Sequence, residues 1–279
     1  MKKIAVLGPK GTFCDSAHMK YVKQSGNKCE PVYVNTIDEI FEQVDKGLCE
    51  LGIAPIENTL DGYVQRTLDL LLEKDVHIIE ENMVSVQFAL VGNVKAVQEI
   101  DTLYVQFKAN GQCREFINGL EHTDIVTTQS NMESYYRIEG VDGAAAIVPA
   151  HIAEAEISKP DRLVIENVTD ATSNHTRFVI IEKGNAGEAM CGDGENVRIS
   201  AYIMPQADRP GILYEILRCF YDNKVNLISI MSRPTKHELG TYNFYIEMQG
   251  ESGRLDVMLH TFDEISRENG IKILGIYSE

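Results

Sequence analysis

Tryptophan is absent from the 279 residues, and the six cysteines (Cys14, Cys29, Cys49, Cys113, Cys191 and Cys219) form no C-x-x-C pair. That spacing supports neither a disulfide framework nor a zinc site and fits a reducing cytoplasm. Positive charge is scarce: 26 Lys and Arg against 42 Asp and Glu give a net charge of -16. A nucleic-acid or anionic-membrane surface is therefore disfavoured. No stretch approaches the roughly 18 apolar residues of a membrane span, and the apolar run in "MKKIAVLG" is too short for a signal peptide. There is no phosphate-binding P-loop, no G-x-S-x-G and no H-E-x-x-H. His18 and His151 fall in predicted helices, where a solvated or core-edge side chain is a better reading than a metal ligand. What remains as partners are small molecules and copies of the chain itself.

What is present is a two-part rhythm. Up to residue 183, apolar strands alternate with amphipathic helices: "KIAVLG", a helix near 15 to 25, "EPVYV", "IDEIFEQVDKG", "LGIAPI" and a helix near 62 to 74. Further strands near 83 to 92, 102 to 106, 124 to 127 and 144 to 148 follow before the chain returns through "RFVII". This predicts two α/β lobes joined by two crossings, with a ligand cleft between them. Residues 184–196 carry four glycines and almost no bulky apolar residue, which reads as a linker. Residues 197–279 follow the order β-α-β-β-α-β, a ferredoxin-like pattern with helices on one face of an antiparallel sheet.

Three strand-to-helix turns carry the candidate chemistry: "GPKGTFCDSA", "PIENTLDGYV" and "TTQSNMESYY". Thr12 with Asp15 and Ser130 with Glu133 fit the capping pattern, and Asn58 or Thr59 is placed to cap the middle helix. Free N–H groups at such helix starts contribute about 0.3–1 kcal/mol each towards an anion, so an acidic protein could hold an anionic substrate there. A fourth segment, "SNHTRF" (173 to 178), stands at the mouth of an apolar strand. In extended chain Asn174, Thr176 and Phe178 share one face, while His175 and Arg177 take the other. Thr176 and Arg177 then have different jobs.

With these elements in order, the sequence resembles the bacterial prephenate dehydratases, a two-lobed periplasmic-binding-protein-like catalytic domain followed by an ACT domain. The likeness rests on "GPKGTF", "PIENTLDGYV", "GAAAI", "TRF" preceded by Asn174, and, near the C-terminus, "PGILYEIL" and "SRP". The resemblance implies a catalytic domain at 1–183 and an ACT domain at 197–279, and a reaction in which prephenate loses its ring hydroxyl and ring carboxylate to give phenylpyruvate. It implies no cofactor and no metal. Thr176 would assist the departing hydroxyl and Phe178 would shape the pocket. Arg177 would bind a carboxylate or tie the two lobes together. Thr12, Phe13, Glu57, Asn58, Thr59 and Asn174 match cleft-lining positions, with Gln112 and Cys113 in a later cleft segment. An amino-acid effector, phenylalanine by resemblance, would bind at a subunit interface through Gly211, Ile212, Leu213, Asn226, Ser232, Arg233 and Pro234. A cytoplasmic homodimer or homotetramer is expected.

The chain also departs from the family pattern. "YVQFKANGQC" replaces the usual Ser-His-Pro-Gln stretch, Cys14, Thr59 and Tyr63 stand where serines are usual, and Met231 replaces the Glu before Ser232. These changes leave open an arogenate dehydratase, a non-aromatising prephenate decarboxylase, or a non-catalytic amino-acid sensor.

Overall fold

A computed structural model describes residues 1–186, 196–207, 209–236 and 238–278. Most of the expected linker, 187–195, lies outside the described residues. The first lobe contains β1 (Lys2–Leu7), α1 (Phe13–Ser25), β2 (Cys29–Val34), α2 (Ile37–Asp45), β3 (Leu51–Asn58), β4 (Gly62–Tyr63), α3 (Gln65–Glu73) and β5 (Val76–Ser85). The second has β6 (Phe88–Gly92), β7 (Thr102–Gln106), α4 (Phe107–Gln112), α5 (Arg114–Asn118), β8 (Asp124–Thr128), α6 (Asn131–Arg137), β9 (Ala144–Pro149), α7 (Ala150–Glu154) and β10 (Leu163–Ile165). The chain then returns to the first lobe as β11 (His175–Lys183). The C-terminal part runs β12 (Asn196–Pro205), α8 (Ile212–Asp222), β13 (Leu227–Pro234), β14 (Tyr242–Glu251), α9 (Leu255–Ser266) and β15 (Asn269–Ser278).

The central strands β1 and β3 lie between two apolar layers, which is why "KIAVL" and "LGIAPI" are nearly continuous apolar runs and not alternating ones. Ile4, Val6 and Ile53 face one layer with Phe178 and Ile180, while Ala5, Ala54 and Ile56 face the other with Val179 and Ile181. The second lobe is a separate five-stranded sheet in the order β10-β6-β9-β7-β8. The two crossings, 86–87 and 166–174, touch where the Val86 amide donates to the Asn174 carbonyl at 2.8 Å.

In the C-terminal part the order β13-β14-β12-β15 and the helices α8 and α9 over one face match the ferredoxin-like expectation. Its other face meets the first lobe: Tyr202, Tyr245 and Tyr277 share an apolar cluster with Leu68, Leu71 and Val76. β15 also joins β5, so the first lobe and the C-terminal part form one ten-stranded sheet.

Candidate active site

β11 runs antiparallel to β3 with Thr176 opposite Asn58 and Arg177 opposite Glu57, but Phe178 lies opposite Pro55. Ile56 is thus an extra residue in β3, a bulge next to a proline that has no N–H to give the ladder. The consequence is geometric. Ala54 and Ile56 face the C-terminal part, and strict alternation would send Asn58 the same way. The inserted residue turns Asn58 to the face of Thr176 and leaves Glu57 on the face of Arg177.

Asn58 then organises the site with both ends of its amide. Its Oδ1 accepts from the Leu60 and Asp61 amides, each at 3.0 Å, which shapes the loop after β3. Its Nδ2 donates to Thr176 Oγ1 at 2.9 Å, Asn174 Oδ1 at 2.9 Å and the His175 carbonyl at 3.1 Å. Asn174, fully buried, donates onward to Gln112 Oε1 at 3.1 Å. Because Thr176 Oγ1 accepts from Asn58, its own proton is left for a partner, and an accepted hydrogen bond makes a hydroxyl a better donor. Gln112 lines a cavity of about 630 Å³ between the lobes, with Leu60, Asp61, Phe107, Lys108 and Arg114. Lys108 Nζ meets Asp61 Oδ2 at 3.1 Å across its mouth.

The other sequence candidates have more local tasks. Thr12 caps α1 through the Asp15 amide, and the Thr59 hydroxyl donates to the His175 carbonyl at 3.0 Å while accepting from its amide at 3.1 Å. Phe13 packs edge-on against Phe88 of the second lobe, centroids 5.4 Å apart, beside the His151 ring. Burial lowers the pKa of His151, favouring its neutral form. The expectation of three open helix starts needs correction. The Gly11 amide donates to Asp15 Oδ2 and the Gln129 amide to Glu133 Oε2, so the chain's own carboxylates occupy two of them. The third helix, α3, begins at Gln65 after Val64 with no side-chain cap, and Asn58 caps the loop before it instead.

Arg177 does not join the two lobes. Its guanidinium faces away from Thr176, donating to Glu247 of β14 at 2.9 and 2.8 Å, to Glu57 at 3.2 Å and to Glu81 at 3.0 Å. Burial would weaken its charge, but the Glu247 carboxylate overrides this and raises its pKa. Burial likewise works against ionised Glu247, and Arg177 holds its pKa below the usual range. Glu57, expected in the cleft, belongs to this cluster. Phe178 is 1% exposed and packs among Ile4, Val6 and Ile53 beneath the site. Cys113 is also wholly buried, and burial lifts its thiol to about 12.

Among the residues expected to bind an effector, Gly211 takes the left-handed conformation (φ 92°) before α8, with Ile212 and Leu213 in its first turn. Asn226 just before β13 and Ser232 and Pro234 within it are exposed, while Arg233 reaches Asp69 of α3 at 2.8 Å. Sequence reasoning missed Glu81, Glu247 and Arg198, whose cluster with Arg177 forms only where the first lobe meets the C-terminal part. The one signal was a glutamate inside the apolar strand "NFYIEM".

An interlobe cleft with a hydroxyl primed by an amide, joined to a βαββαβ domain, defines a small-molecule enzyme with an accessory domain. Residues 4–186 match the family described as prephenate dehydratase, and residues 206–274 match the ACT domain. The chain belongs to the prephenate dehydratase family, whose members are carbon–oxygen lyases, and carries an ACT domain at its C-terminus. A prephenate dehydratase of Methanocaldococcus jannaschii is 31% identical over 279 residues, 99% of this chain and 98% of that one. The structure of the prephenate dehydratase from Staphylococcus aureus matches with a TM-score of 0.81 at 25% identity, covering 100% of both chains. A prephenate dehydratase from Arthrobacter aurescens, solved in complex with L-Phe, gives a TM-score of 0.82 at 28% identity over 99% of this chain and 90% of that one.

Proposed function

We propose that this chain converts prephenate to phenylpyruvate, carbon dioxide and water, with Thr176 as hydrogen-bond donor to the departing ring hydroxyl. The observation that carries the assignment is the bond from Asn58 Nδ2 to Thr176 Oγ1 at 2.9 Å, which fixes the oxygen and frees the proton. The electron balance needs no strong acid. As the ring carboxylate leaves as carbon dioxide, the electrons of its C–C bond enter the ring, and the C–O bond to the hydroxyl breaks in concert. Aromatisation drives the step, so a positioned donor that stabilises the developing hydroxide suffices, and a proton drawn ultimately from solvent completes the water. Lys108 and Arg114 at the cavity supply positive charge for a dianionic substrate.

We divide the chain into a catalytic domain at 1–183 and an ACT domain at 197–279, a reading supported by the element order and by family matches over 4–186 and 206–274. Phenylalanine is the effector we assign to the ACT domain, supported by the L-Phe complex of the Arthrobacter relative. A homo-oligomer is supported by β13, the terminal strand of its sheet, with Ile228 and Ile230 exposed, and by the exposed Tyr214, Leu217 and Tyr221 of α8. The described cysteines are all free thiols, which supports a cytoplasmic setting.

Purified protein incubated with prephenate will yield enzyme-dependent phenylpyruvate by mass spectrometry, above a no-enzyme control. Thr176→Ala will lower kcat by about 10²- to 10³-fold with KM changed much less. Unchanged turnover in that variant removes Thr176 from the mechanism.

A further inference from the structure

We propose that Glu247, in the C-terminal domain, is a positioning residue for Thr176, acting through Arg177. The inference rests on the assignment of Thr176 made above. The catalytic bond joins Asn58 to Thr176 on one face of the β3–β11 pair. On the opposite face their chain neighbours, Glu57 and Arg177, are joined in turn, with Arg177 Nε 3.2 Å from Glu57 Oε2. One guanidinium therefore holds both strands immediately behind the catalytic pair, and Glu247 holds the guanidinium.

The grip is tight and dry. Arg177 is 5% exposed and Glu247 1%, and the two form a paired contact through both terminal nitrogens and both carboxylate oxygens. Each oxygen of Glu247 takes a further bond, from Tyr245 Oη at 2.7 Å and from Tyr63 Oη at 2.8 Å. Ser200 Oγ adds a third contact at 3.2 Å. A carboxylate so saturated has one position, and a bidentate guanidinium on it has one orientation. β11 begins at His175, so Thr176 is the second residue of the strand, laddered to Asn58 on one side and Val84 on the other. Anchoring the next residue from behind adds a side-chain hold to the backbone that carries the hydroxyl. Tyr63 reaches Glu247 from β4, so the strand that pairs with β3 is tied to the same carboxylate.

A catalytic group misplaced by a fraction of an ångström loses rate without losing substrate, so kcat against KM is the discriminating readout. Replacing a buried ion pair by apolar residues restores packing in many proteins, whereas removing one partner strands a charge. The test therefore uses Glu247→Gln, the pair Arg177→Met with Glu247→Leu, and Asp69→Asn. The last breaks the Arg233–Asp69 contact, which also joins the two domains but does not touch β11. Rates are taken per folded molecule, with folding followed by circular dichroism. Glu247→Gln should lower kcat by about 10- to 100-fold with KM within about twofold. The apolar pair should fold with near-normal thermal stability yet stay as slow, and Asp69→Asn should keep the wild-type rate. Wild-type kcat in Glu247→Gln or in the apolar pair, or an equal loss in Asp69→Asn, overturns the positioning role. If Thr176→Ala is inactive while Glu247→Gln is not, the inference fails alone. Absence of phenylpyruvate from the wild type fails the functional assignment instead.

Discussion

Asp15 shows how much a single residue of the first turn controls. Its carboxylate accepts from the Gly11 amide at 2.9 Å and from Tyr33 Oη at 2.6 Å, holding the "GPKGTF" loop against α1. Burial opposes its charge, yet the His18 ring 3.9 Å away and the bonds from Tyr33 and Gly11 bring its pKa from an ordinary 3.8 down to about 2. A carboxyl depressed in the folded state stabilises it above the unfolded pKa, and that contribution fades as pH falls from about 4 towards 2. Tyr33→Phe should therefore cost about 1.5–3 kcal/mol near neutral pH, the worth of a hydrogen bond to a charged group. The gap from wild type should close as the pH approaches 2, which urea unfolding at a series of pH values measures. A gap that stays constant with pH would mean that Tyr33 acts by packing alone.

Among the elements, the pairing of β15 with β5 depends on one absent side chain. A Cβ on Gly275 would lie 2.5 Å from the Ile78 carbonyl oxygen and 2.7 Å from the Ile78 Cβ, so the strands could not approach as they do. Gly275→Ala should destabilise the protein by about 1–3 kcal/mol, the usual cost of overpacking, and the damage should be local. Hydrogen exchange is the direct check: amides of β5 and β15 should lose protection while the second lobe keeps its own. Uniform protection across the molecule would contradict the close approach. The elements themselves were largely legible, because the apolar runs and capping pairs that predicted them are local. α1 starts two residues early and α3 three residues late relative to expectation, and the single strand read at 83 to 92 is broken at the crossing between lobes.

For the whole molecule, the exposed apolar surface on the C-terminal domain sets the expectation. β13 ends the ten-stranded sheet, no strand among the described residues pairs its outer edge, and such edges invite another strand. Pairing two copies there would bring Ile228 and Ile230 of each copy into the interface. Sedimentation at micromolar concentration should show a dimer or a dimer of dimers, tightened by phenylalanine, and Ile230→Lys should shift it towards monomer. A wild-type monomer that ignores phenylalanine would remove both the interface and the effector.

The sequence by itself determined the two α/β lobes, the βαββαβ domain, and the separation of Thr176 from Arg177 onto opposite faces, because strand and helix periods are properties of the local chain. It also marked Asn58, Asn174 and Thr176 as candidate site residues. What it could not contain was their arrangement. The bulge at Ile56 turns Asn58 towards Thr176, a step that alternation alone reads the wrong way. The partner of Arg177 stands 70 residues further on, in another domain. Both depend on which strands lie side by side, and that is decided when the sheets close over their shared core and a charge left inside must find its counter-charge.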